Sequence, residues 1–323
     1  MRLSAVGAAL PRSVLALFVC AIVTLAVFGQ LPGGSVFWTT LQNFAHCPAF
    51  VAISVILITL RPRGQERADR RWVPYLITLV ACLLLGVGIE FAQSLIGGDV
   101  SAQDVFTDME GAAIGMSWHA LARGYRGSGR WNAGHCLIAL TGTASFVATA
   151  APVGWMLVAY AHRDLAFPTL ASAQSRLDLF FLRANEGDLA IERSPESFSR
   201  GRDERGIRLN LRAGSPGVFL IEPVPDWSAY QTLALNLTNP TNSPKTLRLR
   251  VHDRRHNQQV DDRFNRSLLL LPHARQTWRF PLAEIRSAPA TRQIRLDEIA
   301  GIGLFDPQPH DDATFYLNRV WLE

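Results

Sequence analysis

The second half of this 323-residue chain contains no cysteine and no long apolar run. Residues 161–323 therefore hold together without disulfides, and about 160 residues can bury enough apolar surface to do so. The four cysteines of the chain lie in or beside apolar runs and lack the close spacing of metal sites. We interpret them as small buried hydrophobic residues: Cys20, Cys47, Cys82 and Cys136.

Neither half of the chain has a concentrated charge of one sign. Residues 1–160 hold 10 Arg against 7 acidic residues, and residues 161–323 hold 22 Lys plus Arg against 20 acidic residues, which together give the net charge of +5. A nucleic-acid-binding protein needs a concentrated basic face, and no nucleic-acid motif is present. The sequence therefore predicts no nucleic-acid partner. No Ser-His-Asp or Cys-His arrangement is identifiable either.

The first half is rich in the long apolar runs that the second half lacks. The third run is long enough to cross about 30 Å of hydrocarbon. The first run is followed by GQLPGGS, a sequence typical of signal-peptide cleavage regions, so cleavage of residues 1–30 stays open. The pattern predicts an all-α bundle of five transmembrane helices in residues 1–160, at about 13–29, 44–60, 73–97, 104–122 and 135–160.

The loops between these helices predict their orientation. RPRGQERADRR and RGYRGSGR contain five and three arginines, whereas GQLPGGSVFWTTLQN and GGDVSAQ contain no Lys or Arg. Positively charged short loops stay on the cytoplasmic side. We therefore expect a multi-pass protein of the bacterial inner membrane with a cytoplasmic N-terminus and a periplasmic C-terminal domain.

Polar residues interrupt the apolar helices near their predicted outer ends. Charged side chains at membrane depth are costly and usually face a bundle interior or a watery cavity. Residues three or four apart share a helix face, and the Gly111 and Gly115 pair permits close helix packing. The candidate catalytic site comprises five side chains: His46, Glu90, Gln93, Asp104 and Asp108.

Three roles are open for this polar cluster. A carboxylate or imidazole could transfer a proton, or several carboxylates could bind a divalent cation. Alternatively, the residues form a structural polar core, in which Asp104 caps the fourth helix. The third alternative is a conduction pathway. The sequence leaves the metal unknown.

Residues 175–323 show the period-two alternation of strands, after a linker at 161–174. Ile207, Leu209 and Leu211 alternate with polar residues, as do residues 233–237 and 247–251, and further short strands are predicted at 217–222, 264–271, 277–282, 299–305 and 314–322. Many short strands without helices long enough for parallel crossovers predict an all-β antiparallel sandwich or jelly roll.

Two polar segments of this domain are candidate ligand sites. Aromatic rings at 227 and 230 could stack on sugars, although a Trp at a loop end is often a core lid. The segment from His252 to Asn265 is rich in groups that bind hydroxyls or a hard cation, although it could be a solvated loop with internal salt bridges. No cofactor is expected apart from a structural Ca²⁺. The candidate ligand-binding residues are Asp226, Trp227, Tyr230, Asp253, Asp262, Arg263 and Asn265.

Residues 42–121 resemble the VanZ-like membrane proteins. The likeness is carried by NFAHCPAF with His46, by IEFAQ with Glu90 and Gln93, and by Asp104 and Gly111 on the next helix. The chain departs from the family pattern in having Gln-Asn where members often have Asp-Lys before the His, no Arg between the Gln and the Asp, and Asp where members have Asn at 108. The resemblance implies a place in the bacterial cell envelope and a link to glycopeptide resistance.

The second half resembles the galactose-binding-like jelly rolls found as carbohydrate-binding modules. The likeness is carried by DWSAYQTLALNLTNP, LRLRVHDRRHNQQVDDRFNRSLLL, LDEIAGIGLF and FYLNRVWLE. It implies a domain that recognises envelope or extracellular polysaccharide. The alternative hypothesis is an intramembrane enzyme that acts on lipid-linked glycan or phospholipid through the outer acidic residues and His46. The expected partners are membrane lipid and one of these glycans.

Overall fold

A computed structural model describes residues 11–29, 32–60, 72–97, 100–128, 133–185, 188–199, 201, 204–211, 217–306 and 313–323. The chain divides into two compact units, Met1–Met156 and Leu157–Glu323. The first unit is helical, and the second is an antiparallel β-sandwich. The predicted fold classes of both halves are therefore confirmed.

Five long helices account for the described part of the first unit: α1 Arg12–Phe28, α2 Val36–Thr59, α3 Val73–Leu95, α4 Ala102–Ser128 and α5 Ala133–Ala166. Helix α2 begins eight residues before the predicted start at 44. Its first residue follows Ser35, whose side chain accepts a hydrogen bond from the Trp38 amide at 3.4 Å. The apolar run alone gave no sign of this N-cap, which stabilises the helix start.

Three of these helices are long and apolar enough to cross a membrane: α2, α3 and α5. Helix α1 is also apolar but has only 17 residues, and α4 carries several acidic side chains. The prediction of five transmembrane spans thus stays a prediction for α1 and α4. The arginine-rich loop at 61–71 lies outside the described residues, so the predicted orientation is untested.

Helices α2 and α4 pack at close range through the predicted small-residue pattern. A Cβ atom on Gly111 would lie 2.3 Å from the Cys47 carbonyl oxygen, and one on Gly115 would lie 2.5 Å from the Val51 carbonyl oxygen. Both distances are far below van der Waals contact, so only glycine fits at these positions. The close approach brings the polar residues of α4 next to those of α2.

The second unit consists of two antiparallel sheets, which we call sheet A and sheet B. Successive strands mostly change sheets, which is typical of a jelly roll. Sheet A has the order β3-β4-β11-β6-β9, with β1 also paired to β11, and sheet B has the order β2-β5-β10-β7-β8. The strands are β1 Thr169–Ser172, β2 Leu182–Asn185, β3 Asp188–Arg193, β4 Arg205–Leu211, β5 Gly217–Ile221, β6 Thr232–Asn239, β7 Lys245–Asp253, β8 Phe264–Leu270, β9 Ala274–Pro281, β10 Ile299–Phe305 and β11 Ala313–Leu322.

The alternating residues of the predicted strands form the core between the two sheets. Leu209 of β4, Leu235 of β6 and Leu249 of β7 are at most 1% exposed, as period-two burial requires. The predicted linker at 161–174 is wrong, because α5 continues to Ala166 and β1 pairs with β11. A four-residue strand is too short to show an alternating pattern, so period-two alternation did not indicate β1.

Candidate functional site

The polar cluster of the helical unit is built around a contact between α2 and α4. His46 Nδ1 lies 3.0 Å from Asp108 Oδ1, and the two side chains are only 10% and 1% exposed. Gly86 of α3 makes room for this carboxylate, because a Cβ atom there would lie 2.8 Å from Asp108 Oδ2. The sequence predicted both charged residues but did not indicate the role of Gly86.

Glu90 of α3 belongs to this cluster and also forms a hydrogen bond at the start of α4. Its Oε2 accepts a hydrogen bond from the Ser101 amide at 2.7 Å, while the Ser101 hydroxyl accepts one from the Asp104 amide at 3.2 Å. The cap of α4 is therefore Ser101, and the predicted cap at Asp104 is wrong. The Glu90 and Asp104 side chains both lie within electrostatic range of the His46 imidazole.

Gln93 is the one predicted member that points away from the cluster. Its Nε2 donates a hydrogen bond to the Ala26 carbonyl oxygen of α1 at 3.0 Å. Glu90 lies one turn earlier but contacts the start of α4 instead. Three-residue spacing placed the two side chains on one helix face, but that face is wide enough to contact two neighbouring helices.

The cluster has the groups that proton transfer requires. A carboxylate bound to one imidazole nitrogen orients the ring and leaves the other nitrogen to exchange a proton. Glu90 Oε1 and Asp108 Oδ2 are buried and have no hydrogen-bond partner among the described residues. Within the same residues, no group of three His, Cys, Asp or Glu side chains is placed to hold a metal ion.

In the first predicted ligand segment of the sandwich, the central residue, Trp227, has a structural role. Trp227 is 0% exposed and its indole NH donates to the Val224 carbonyl oxygen at 2.8 Å, so its ring cannot stack on a sugar. Tyr230 packs edge-on against Phe167, with 5.2 Å between the ring centroids. Asp226 is exposed, and hydrogen bonds from the Ser228 side chain and amide lower its pKa.

The second predicted segment contains a buried ion pair, which we call the Arg292 clamp. Arg292 Nη1 and Nη2 donate to the two Asp253 carboxylate oxygens at 2.6 and 2.8 Å, and Nη2 also donates to Asp262 Oδ2 at 3.1 Å. The hydrogen bonding of Asp262 to Arg292, together with a bond from the Asn257 amide, lowers the Asp262 pKa to about 2. Burial raises the Asp253 pKa, but the bonds from Arg292 and Arg295 outweigh it and lower that pKa.

The Arg292 clamp occupies the carboxylates that the sequence assigned to ligand binding. Asp253 and Asp262 are 1% and 4% exposed, so they fix the β7–β8 connection rather than face a ligand. Arg263 and Asn265 remain on the surface side of β8 and are partly buried. The structural alternative, a loop with internal salt bridges, therefore describes the two aspartates.

The outer face of sheet A carries a cleft that the sequence did not indicate. Its volume is about 990 Å³. Its lining is mostly polar, because the period-two alternation of the strands places polar side chains opposite the core. The residues that matter for its chemistry are Arg275, Thr277, Arg279, Asn318, Arg319 and Trp321.

Five arginines line this cleft, and carboxylates neutralise at least two of them. Arg275 pairs with Glu204 at 2.7 Å, and Arg279 pairs with Glu323 at 3.0 Å. The Arg319 guanidinium lies 5.1 Å from the centre of the Trp321 ring. The cleft thus presents fixed hydrogen-bonding groups together with an indole ring, and this combination suits a hydroxyl-rich ligand.

Comparison with known proteins bears on the sandwich alone. No family model matches this chain, and no curated protein matches it. The VanZ-like resemblance of the helical unit therefore stays a prediction.

Several solved structures are similar to the second unit. The family 11 carbohydrate-binding module from Clostridium thermocellum, in complex with a β-1,3-1,4-mixed-linked tetrasaccharide, is 13% identical, with coverage of 48% of this chain and 93% of that chain and a TM-score of 0.35. A xylan-binding domain of module family 22 is 7% identical, with coverages of 47% and 90% and a TM-score of 0.32. An exo-β-agarase is 17% identical, with coverages of 44% and 23% and a TM-score of 0.35. The assignment as a sandwich rests on the strand order of this chain.

Proposed function

We propose that this chain is a membrane protein of the bacterial envelope whose β-sandwich binds polysaccharide in the cleft of sheet A. The observation that carries the proposal is the cleft itself, about 990 Å³ in volume and lined by fixed polar side chains. Sugar hydroxyls need several donors and acceptors held in place, together with an apolar surface for the ring. Asn318 and Thr277 supply polar groups, and Trp321 supplies the apolar surface.

The polar groups of the cleft are preorganised by contacts with one another. Asn236 donates to Thr277 Oγ1 at 2.6 Å and accepts from Arg275 Nε at 2.8 Å. Asn318 donates to Thr238 Oγ1 at 2.8 Å, which leaves its own oxygen buried and without a partner among the described residues. A ligand hydroxyl that donates to this oxygen would satisfy a group that is costly to leave unpaired.

The membrane part of the proposal rests on composition and loop charge. Helices α2, α3 and α5 are long and apolar enough to cross a membrane. The arginines of residues 61–71 favour the cytoplasmic side, so the N-terminus would be cytoplasmic and the sandwich periplasmic. The ligand would then be an envelope or extracellular polysaccharide. VanZ-like membership of residues 42–121 is part of the same proposal.

The experiment is a binding assay on the full chain in nanodiscs of zwitterionic lipid. The probes are mixed-linked β-glucan, xylan and agarose oligosaccharides together with a panel of bacterial envelope glycans. Arg319→Ala and Trp321→Ala are each expected to weaken binding about tenfold, since a charged hydrogen bond or a stacked ring is worth about 1.5 kcal/mol. Thr277→Trp fills the cleft and is expected to abolish binding.

The matched control is Arg208→Ala. Arg208 lies on the same sheet, is 28% exposed, and pairs with Asp188 and Glu192 outside the cleft. Its removal should leave binding unchanged. The proposal is wrong if no glycan of the panel binds, or if binding is equally strong after Arg319→Ala, Trp321→Ala and Thr277→Trp.

A second candidate function is an intramembrane enzyme that acts on lipid-linked glycan or phospholipid. The observation in its favour is the His46–Asp108 contact at 3.0 Å beside a Glu90 oxygen that is buried and has no partner among the described residues. In this role His46 would transfer the proton and Asp108 would orient the ring. Substrate conversion in nanodiscs, followed by mass spectrometry, should disappear with His46→Gln and Asp108→Asn.

Gln93→Leu is the control for the enzyme hypothesis. Gln93 lies on the same helix as Glu90 but contacts α1, so its loss should leave conversion intact. Persistence of conversion in His46→Gln would contradict a proton-transfer role, as would the absence of conversion of either lipid class by the wild-type protein.

A further inference from the structure

The outer face of sheet B carries four basic side chains close together, which we call the basic patch. Arg248, Arg250 and His252 alternate along β7 with buried core residues, so all three point away from the core. Arg263 immediately precedes β8, whose first residue, Phe264, is buried. Because β7 and β8 are paired antiparallel neighbours, the three guanidinium groups and the imidazole share one surface.

Among the described residues, the guanidinium groups of this patch have no anionic partner. In the described part of the chain, the side chains of Arg248, Arg250 and Arg263 donate no hydrogen bond and form no ion pair, whereas Arg292 makes two carboxylate pairs. Burial, and then the charge of Arg263, lowers the Arg250 pKa. Burial and the charge of Arg248 lower the Arg263 pKa in the same way. The positive charges of the three arginines therefore repel one another.

Several polar atoms of the patch are buried and unpaired. Among the described residues, Arg250 Nε, Arg263 Nε, His252 Nδ1 and Asn265 Oδ1 have no hydrogen-bond partner. Native proteins leave few buried polar atoms unpaired, and each such atom calls for an explanation, such as a bound group that completes its hydrogen bonds. Burial, followed by the charges of Arg250, His256 and Arg263, lowers the His252 pKa to about 4, so the imidazole is neutral near pH 7.

Aromatic rings lie beside the cationic groups on the same face. Phe219 covers Gly303, since a Cβ atom on that glycine would lie 2.9 Å from the ring. Gly303 is the cross-strand neighbour of both Phe219 and Arg250. The Arg248 guanidinium lies 6.0 Å from the centre of the Phe305 ring. Rings next to cations suit a ligand that has both an apolar ring face and a negative charge.

We propose that the basic patch is a second saccharide site, specific for the acidic sugar residues of an anionic polysaccharide. Arginine pairs with carboxylate and sulfate groups through two parallel hydrogen bonds, while Phe219 faces the sugar ring and Asn265 accepts from a hydroxyl. A lipid surface fits less well, because the guanidinium groups are partly buried on a rigid sheet rather than carried on exposed, flexible side chains. The patch and the cleft of sheet A lie on different sheets, so each can fail without the other.

The experiment measures binding of paired acidic and neutral oligosaccharides to the full chain in zwitterionic nanodiscs. The acidic probes are oligomers of galacturonate, guluronate, mannuronate and glucuronate, and each has its methyl ester as the neutral partner. At least one acid should bind about tenfold more tightly than its ester, and the preference should shrink as salt is raised from 50 to about 500 mM. Arg250→Gln and Arg263→Gln should each abolish the preference, whereas Arg250→Lys should retain part of it.

Arg295→Gln is the matched control, because Arg295 is 41% exposed and already pairs with Asp297. It should leave the preference unchanged. The unliganded variants give an independent measurement: Arg250→Gln removes a repelled charge, so its unfolding midpoint should equal or exceed that of the wild type.

Three results would overturn the proposal. The first is that acids and esters bind equally for every pair, and the second is that the preference survives Arg250→Gln and Arg263→Gln. The third is that the two arginines affect only the binding of phosphatidylserine vesicles, which would assign the patch to a membrane surface. Thr277→Trp, which fills the cleft of sheet A, should leave the acid preference intact.

Discussion

Replacing Arg292 with Met is expected to destabilise the β-sandwich strongly. Arg292 donates two hydrogen bonds to Asp253, whose side chain is 0% exposed, while its own side chain is 23% exposed. Removing one partner of a buried ion pair costs about 3–5 kcal/mol, because the remaining charge is left buried and unpaired. Because Arg292 is partly exposed, we expect the free energy of unfolding to fall by an amount at the lower end of this range, about 3 kcal/mol. For a unit of this size, that loss corresponds to a fall of about 6–12 °C in the unfolding midpoint.

The assay is thermal unfolding of the full chain in detergent, combined with hydrogen exchange of peptides that cover β7 and β8. Exchange should rise first in residues 245–270, since the Arg292 clamp holds the connection between these strands. Arg295→Met is the control, because its pair with Asp297 is exposed on both sides and should contribute less than about 1 kcal/mol.

A double variant distinguishes destabilisation by an unpaired charge from destabilisation by lost packing contacts. Asp253→Asn together with Arg292→Met removes both charges, so it should recover part of the stability that Arg292→Met loses. Equal midpoints for Arg292→Met and Arg295→Met would refute the reasoning. So would a double variant that is less stable by the full sum of the two single changes.

Three further predictions concern packing and titration. Gly111→Leu should destabilise the helical unit by about 1–3 kcal/mol through its clash with the Cys47 backbone, seen as a lower thermal midpoint, whereas the exposed Ala113→Leu should not. In the folded state the pKa of Asp262 is about 2, below its ordinary 3.8. The ionised carboxylate should therefore stabilise the sandwich above about pH 4, and this contribution should disappear as the pH falls toward 2. Urea titrations of wild type and Asp262→Asn between pH 2 and 5 should therefore converge at the acid end. Trp227→Ala should lower the stability of the sandwich by about 3–5 kcal/mol; unchanged stability with lost glycan binding would contradict its burial.

The sequence by itself determined the two-part architecture. Long apolar runs indicate helices because only continuous apolar surface suits hydrocarbon, and strict alternation at 207–211 and 247–251 indicates strands with one buried face. Glycines four apart at 111 and 115 likewise predicted a close helix contact, because absence of a side chain is a local property. Each of these features depends on residues that are near one another in the chain.

The tertiary structure decided which polar residues meet and which are occupied. Asp108 contacts His46 across 62 residues, whereas Gln93 contacts α1, and helix periodicity could not distinguish the two. In the sandwich, the predicted ligand-binding carboxylates of Asp253 and Asp262 are occupied by Arg292, which lies 39 and 30 residues later in the chain.

The two candidate glycan surfaces have the same origin. The cleft of sheet A combines residues from 172 to 321, and the basic patch becomes conspicuous only because no carboxylate of the described chain reaches it. Charge balance and cavity shape arise from strands that are distant in sequence, so composition and periodicity carry no signal for them. The sequence therefore determined the elements, and the packing of those elements decided where a ligand can bind.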